Sequence, residues 1–186
     1  MKPILLDIPT EIYSDRLLLR MPKPGDGKVV HAAIQASMKE LKAWMPFAQS
    51  EQTEEEIEVN IREAHAKFIL REDLRLLVFH KDNGEFIGSS GLHYIDWRIP
   101  KFEIGYWIDT RHSGKGYMTE AAHRIADFAF DELNAKRLEI ICDEKNKKSR
   151  SIAEKIGFNL DVILKNEELS ADGRELRNTC IYSKLT

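Results

Sequence analysis

Between Leu74 and Asp109 the chain offers three apolar stretches with little between them. LRLLVFH (74–80), EFIGSSGLHYI (85–95) and KFEIGYWID (101–109) each read as a strand. The first link, KDNG, is a hairpin turn signal, and the second is the short DWRIP. A parallel crossover needs a dozen residues or more, so these links require an antiparallel meander. Whatever the chain folds into must be built around that sheet. Gly88 and Gly91 inside the second strand predict a bulge or a close backbone approach.

The flanking segments extend the pattern. RLLLR (16–20) reads as a short strand stopped by MPKPGDG, and a helix follows over about Asp26 to Ser37. Thr53 and Glu56 stand at capping-box spacing before Ile57, Ile61, Ala64 and Phe68, which predicts a helix over Thr53 to Leu70. After the meander, Met118, Ala121, Ala122, Ile125, Ala126, Phe128, Ala129 and Leu133 fall at helical spacing. RLEIIC (137–142) is a strand, and KKSRSIAEKIGF is a short helix ended by Gly157. Strands around 160–166 and 176–185, turned at ADGR, close the chain. The order β-α-α-β-β-β-α-β-α-β-β predicts an α/β (α+β) fold. Its mixed, mostly antiparallel sheet has about seven strands and is flanked by about four helices.

Composition narrows the function class. At 186 residues the chain suits one domain over 1–186 with a real core. A net charge of −3 gives no global positive field to recruit nucleic acid or an anionic membrane. The cysteines, Cys142 and Cys180, are far apart and outside any His/Cys cluster, so neither a metal site nor a disulfide scaffold is expected. No apolar run approaches the ~20 residues of a membrane span. These features lead us to expect a cytoplasmic protein with reduced thiols.

The stretch DTRHSGKGYMTEAA (109–122) joins the end of the meander to the start of a helix. The first N–H groups of a helix lack intrahelical partners, and its dipole adds positive partial charge there. Gly114 and Gly116 let a ligand approach the backbone, while Arg111 and Lys115 add full charges. Such a corner can cradle a pyrophosphate; tight turn geometry alone also explains glycines there. The P-loop is excluded because Gly116 follows Lys115, and the dinucleotide fingerprint because Thr119 stands where its third glycine belongs.

RHSGKG resembles the Arg/Gln-x-x-Gly-x-Gly/Ala signature of the GNAT superfamily of N-acetyltransferases. RLLLR, EIGYWI and NKKSRSIAEKIGF resemble further segments in the right order. LKAWMPFA resembles a segment of the branch that acetylates ribosomal-protein N-termini, the RimJ/RimL type. The resemblance implies acetyl-CoA as cosubstrate, held by Arg111, Ser113, Gly114, Lys115, Gly116, Tyr117 and Met118. It adds Trp107 and Ile108 along the pantetheine arm, with Asn146 and Ser149 from the later helix. It also implies a primary amine attacking the thioester directly.

Glu103 is the first candidate for the base, with His93 behind it. A partly buried Glu103 would have a raised pKa suited to proton abstraction; a structural carboxylate is the alternative. Many members carry a tyrosine acid seven residues after the asparagine of the later helix, but here that position is Ala153. Ser149, three after Asn146, is the candidate to stabilise the departing thiolate. Helix capping is the alternative for both Ser149 and Asn146. Trp44, Phe47, His93 and Tyr94 are candidates for the acceptor side, against core or loop anchoring.

The expected acceptor is the α-amino group of a protein. A small amine such as a polyamine or aminoglycoside, or a non-catalytic acyl-CoA sensor, is the alternative. Dimers occur in the resembled branch, so a homodimer is among the expectations.

Overall fold

The computed structural model describes residues 2–186. Eight strands form one sheet in the order β1-β2-β3-β4-β5-β6-β8-β7. They are β1 (Glu11–Tyr13), β2 (Leu17–Arg20), β3 (Leu74–His80), β4 (Phe86–Asp96), β5 (Lys101–Ile108), β6 (Arg137–Asp143), β7 (Asn159–Leu169) and β8 (Leu176–Leu185). The helices are α1 (Gly27–Leu41), α2 (Glu54–Leu70), α3 (Tyr117–Asp131) and α4 (Lys147–Lys155). The expected mixed α/β fold is present, with one strand beyond the seven anticipated. That strand, β1, has only three residues, too few for a period-two pattern to register. β3–β4–β5 is the antiparallel meander, and β5 with β6 is the parallel pair.

Both faces of the central sheet are covered, which explains why β3 reads as a continuous apolar run. Leu77 and Phe79 face Val30, Ile34, Ile57 and Ile61 of α1 and α2. Leu76 and Val78 belong to the opposite cluster, with α3. Ala121, Ala122, Ala126 and Ala129 are almost fully buried and bring α3 close to the sheet. α2 starts with the predicted capping box, in which Thr53 and Glu56 satisfy each other's backbone N–H.

Gly88 and Gly91 mark close approaches rather than bulges. A Cβ on Gly88 would lie 2.4 Å from the Trp107 carbonyl, and one on Gly91 would lie 2.6 Å from that of Leu74. The bulges fall at Val78/Phe79 and between His93 and Asp96.

One irregularity positions the site. β5 and β6 pair only at Lys101–Arg137, Phe102–Leu138 and Glu103–Glu139, although both strands run several residues further. They part beyond Glu103. Toward β6, the backbone of Ile104 to Ile108 therefore has no strand partner. α3 begins shortly after β5 and α4 shortly after β6, so two helix N-termini follow the diverging ends.

Candidate active site

A cleft of about 1060 Å³ opens where the strands part. Its walls include Glu103 to Ile108 of β5, Ile140 to Asp143 of β6, and Asn146 to Ser149 at the start of α4. Trp44, Phe47 and His93 line it, as do Ser113 and Met118 from the glycine corner. The structure thus brings together most of the residues the sequence singles out.

The corner is built by local chemistry. Asp109 is fully buried, accepts from the Arg111 N–H, and pairs with the Arg111 guanidinium at 2.5 Å. The Thr110 N–H donates to the buried Ser37 hydroxyl at 2.8 Å, tying the corner to α1. Gly114 and Gly116 both have φ of +80°, in the left-handed region that favours glycine. Gly116 opens α3 without a side-chain cap, so the leading N–H groups remain available to a ligand. A Cβ at Gly114 would meet nothing within 4 Å; the space over that glycine is open.

Arg16 braces the corner from outside. Its Nη1 donates to the Lys115 carbonyl at 3.1 Å, its Nε pairs with Glu120 at 2.6 Å, and its guanidinium lies 4.4 Å over the Tyr117 ring. Tyr117 therefore anchors the loop by its side chain. The side chains of Arg111 and Met118 likewise have structural partners, Asp109 for the first and the core for the second.

At α4 the two capping alternatives separate. Asn146 is the cap, accepting from the Ser149 N–H at 3.1 Å. Ser149 does not cap; its hydroxyl lies 3.0 Å from the Tyr106 hydroxyl, which also donates to the Ser149 carbonyl at 2.9 Å. This pair bridges the gap between β5 and α4. Burial pushes the Tyr106 phenol well above its ordinary value and the Cys142 thiol up to about 11, so both stay protonated.

On the other face of β5, Glu103 stands directly across from His93. Burial pushes its carboxyl up to about 7, against the pull of His93; Glu139 and Glu168 push the same way as burial. His93 Nδ1 is 2.6 Å from Asp73 Oδ2.

One candidate aromatic is not brought to the cleft. The bulge after His93 places Tyr94 at φ +47° and 83% exposed, out in solvent rather than on the acceptor wall. Trp97 is an anchor, donating to the Arg71 carbonyl at 2.8 Å and packing on Phe102. In the basic run, Lys145, Lys147 and Lys148 line the cleft, while Arg150 is tied to Tyr182 and Glu144.

Tyr106, Cys142, Asp73 and Arg177 escaped the sequence reading. Tyr106 reads as a core residue by alternation, and only the parting of the strands gives it access to a cleft. Asp73 lies in the turn before β3, where nothing in the sequence connects it to His93.

The acetyltransferase (GNAT) domain family matches residues 16–159, which include both lips of the cleft, the glycine corner and all of α4. The chain is a GNAT acetyltransferase. Acetyl-CoA is its acetyl donor. Relatives of this GNAT chain diverge in acceptor. The ribosomal-protein-serine acetyltransferase of Escherichia coli is 29% identical over 146 residues, covering 76% of this chain and 75% of its own. The spermidine N(1)-acetyltransferase of the same organism is 30% identical over 125 residues, covering 67% of each. Among solved structures, the microcin C7 self-immunity acetyltransferase MccE, in complex with acetyl-CoA and AMP, superposes with a TM-score of 0.89 at 23% identity. That match covers 96% of this chain and 98% of the other, and it shows a shared fold. None of the described helices is long and apolar enough to cross a membrane.

Proposed function

We propose that this GNAT chain acetylates the N-terminal α-amino group of a protein, acting as one domain over residues 1–186 in the cytoplasm. The observation that carries this reading is Glu103, lifted to about 7 inside the cleft. An α-ammonium titrates near ~8, only about one unit above that base, whereas a lysine-type amine near ~10.4 is several units away. A base poised at 7 is matched to the former.

In this reading the pyrophosphate of acetyl-CoA rests on the backbone N–H groups at Gly114, Gly116, Tyr117 and Met118, with Ser113, Lys115 and Arg111 around it. The unpaired β5 edge at Trp107 and Ile108 receives the amides of the pantetheine arm, and the Asn146 side-chain amide meets the same arm. Glu103 takes a proton from the ammonium. The amine attacks the thioester carbonyl, the C–S bond breaks, and the Ser149 hydroxyl, backed by Tyr106, donates to the departing sulfur. Trp44, Phe47 and His93 shape the acceptor side.

The similarity to a spermidine N(1)-acetyltransferase favours a second reading, a small polycationic amine. The test is CoA release at pH 7 with three acceptors: a short peptide with a free N-terminus, the same peptide N-blocked but carrying lysine, and spermidine. Turnover of the first alone supports the proposal. Preference for spermidine selects the second reading, and acetyl-CoA binding without turnover of any amine would identify a sensor.

A further inference from the structure

His93 has a second partner that the reaction as written does not use. Its Nδ1 is bonded to Asp73 Oδ2 at 2.6 Å, and both side chains are about three-quarters buried, at 22% and 23% exposure. Among the described residues Nε2 has no hydrogen-bond partner. The imidazole lies over Gly105: a Cβ there would come within 3.0 Å of Cδ2 and 3.4 Å of Nε2. Glycine at that position of β5 leaves room for the ring and for its free nitrogen beside the cleft.

A carboxylate on Nδ1 fixes the tautomer. The proton sits on Nδ1, Nε2 keeps its lone pair, and an imidazolium formed there is stabilised by the anion behind it. The remaining charges around the pair are accounted for. Arg75 on β3 is held by Asn60 of α2, Glu139 on β6 by Lys101 and Arg137, and Glu168 on β7 by Arg177. None of them reaches His93 Nε2.

The nitrogen gives up two protons at different stages, and Glu103, protonated by the first, is not free to take the second. The ammonium loses two protons on becoming an amide: one before attack, and one from the positively charged nitrogen of the adduct. One proton ends on the CoA sulfur and the other in solvent. Glu103 accounts for the first loss.

We propose that His93 Nε2 takes the second proton, from the adduct nitrogen, and that Asp73 is the positioning residue that holds His93 in the tautomer able to do so. This rests on the acetyl-transfer reading above. Glu103 and His93, directly opposed on neighbouring strands, then serve one nitrogen in sequence. His93 and Glu103 each return their proton to solvent, and the CoA thiolate takes one proton back from solvent past the Ser149 hydroxyl, so that one proton is released net. Asp73 stays ionised throughout; despite burial, its carboxylate is kept below the usual range by the bond and charge of His93 and the charge of Arg75.

The experiment is a double-mutant cycle of Asp73→Asn and His93→Gln, read as kcat, KM for acetyl-CoA, and the pH profile of kcat/KM. Each single variant should lose roughly tenfold or more in kcat with KM for acetyl-CoA unchanged. Asp73→Asn should also change the pH profile of kcat/KM, because the imidazole has lost the carboxylate that fixes its tautomer. The double variant should be no worse than His93→Gln. Wild-type kcat and pH profile in Asp73→Asn overturn the proposal, as does an equal loss when it is added to His93→Gln. If Asp73→Asn does not fold, His93→Gln alone must show the kcat loss at constant KM. Nitrogen-15 shifts of the wild-type imidazole should report a proton on Nδ1, and the opposite tautomer overturns the proposal without reference to turnover. A wild-type protein that transfers acetyl to no amine overturns the functional reading, and this one with it; a failure confined to Asp73 leaves that reading standing.

Discussion

The two sides of the cleft are assembled differently. The corner proposed to hold the cofactor is one continuous stretch, Asp109 to Met118, whose geometry follows from its own glycines, its buried aspartate and the start of α3. The side proposed for the acceptor draws His93 from β4, Glu103 from β5 and Trp44 and Phe47 from the segment after α1, with Asp73 behind His93 just before β3. A contiguous site carries its instructions in local backbone chemistry. A dispersed site exists only once sheet register has brought its parts together. Losing one residue should therefore collapse the first, while leaving the second in place but chemically impaired.

The largest effect expected is at Gly114. Its φ of +80° strains any β-branched residue, at roughly 1–3 kcal/mol, yet nothing in the protein lies within 4 Å of a Cβ there. Gly114→Val should therefore fold but lose acetyl-CoA affinity by on the order of 100-fold, about 2.7 kcal/mol. Calorimetric titration checks this, with circular dichroism for the fold. Undiminished affinity would show that the pyrophosphate does not run over this glycine.

Next comes Ser149→Ala, which removes the hydroxyl beside Tyr106 and leaves the Asn146 cap intact, because the cap uses the Ser149 backbone N–H. We expect kcat to fall roughly 10- to 100-fold with the affinity for acetyl-CoA unchanged. An unaltered kcat would transfer the sulfur-facing role to Tyr106.

The meander, the capping box of α2 and the glycine corner were legible because each is set by neighbours a few residues apart. Glu103 and His93 were legible as strand residues of a suspect type, but their opposition needed the β4–β5 register. Asp73 and Tyr106 were not legible at all. One needs the fold to bring a turn to His93, and the other needs β5 and β6 to part. Tyr94 does not reach the cleft: the register breaks after His93, and Tyr94 stands exposed at φ +47°.

On the dispersed side, Glu103→Gln separates chemistry from stability. A carboxyl raised from 4.5 to about 7 prefers its neutral form in the folded state. Below pH 4.5 it is neutral in both states and costs nothing. As pH rises through 7 the folded protein must either carry a buried charge or hold a proton that the unfolded chain has released, so stability falls. Glu103→Gln should then stabilise the protein at pH 8 by up to about 3 kcal/mol, less whatever the buried amide costs, and have no effect near pH 4. Urea unfolding at the two pH values checks this. The same variant should lose the acid limb of the activity profile around pH 7. Equal stability at both pH values would mean that Glu103 is an ordinary, well-solvated carboxylate.

The smallest effect tests whether the corner is as self-contained as its sequence suggests. Arg16 lies about a hundred residues before it in the chain, yet bonds the Lys115 carbonyl, pairs with Glu120 and covers Tyr117. Its side chain is 43% exposed, so the ion pair itself contributes little to stability. What it supplies is order in the loop before the ligand arrives, and ordering a loop on binding costs affinity. Arg16→Ala should therefore weaken acetyl-CoA binding about threefold to fivefold, roughly 1 kcal/mol, with little change in kcat or in the unfolding midpoint. No change would mean that the glycines and Asp109 define the corner unaided. A loss approaching that of Gly114→Val would mean that the guanidinium touches the cofactor, and the corner would then be, like the acceptor side, a site assembled by the fold.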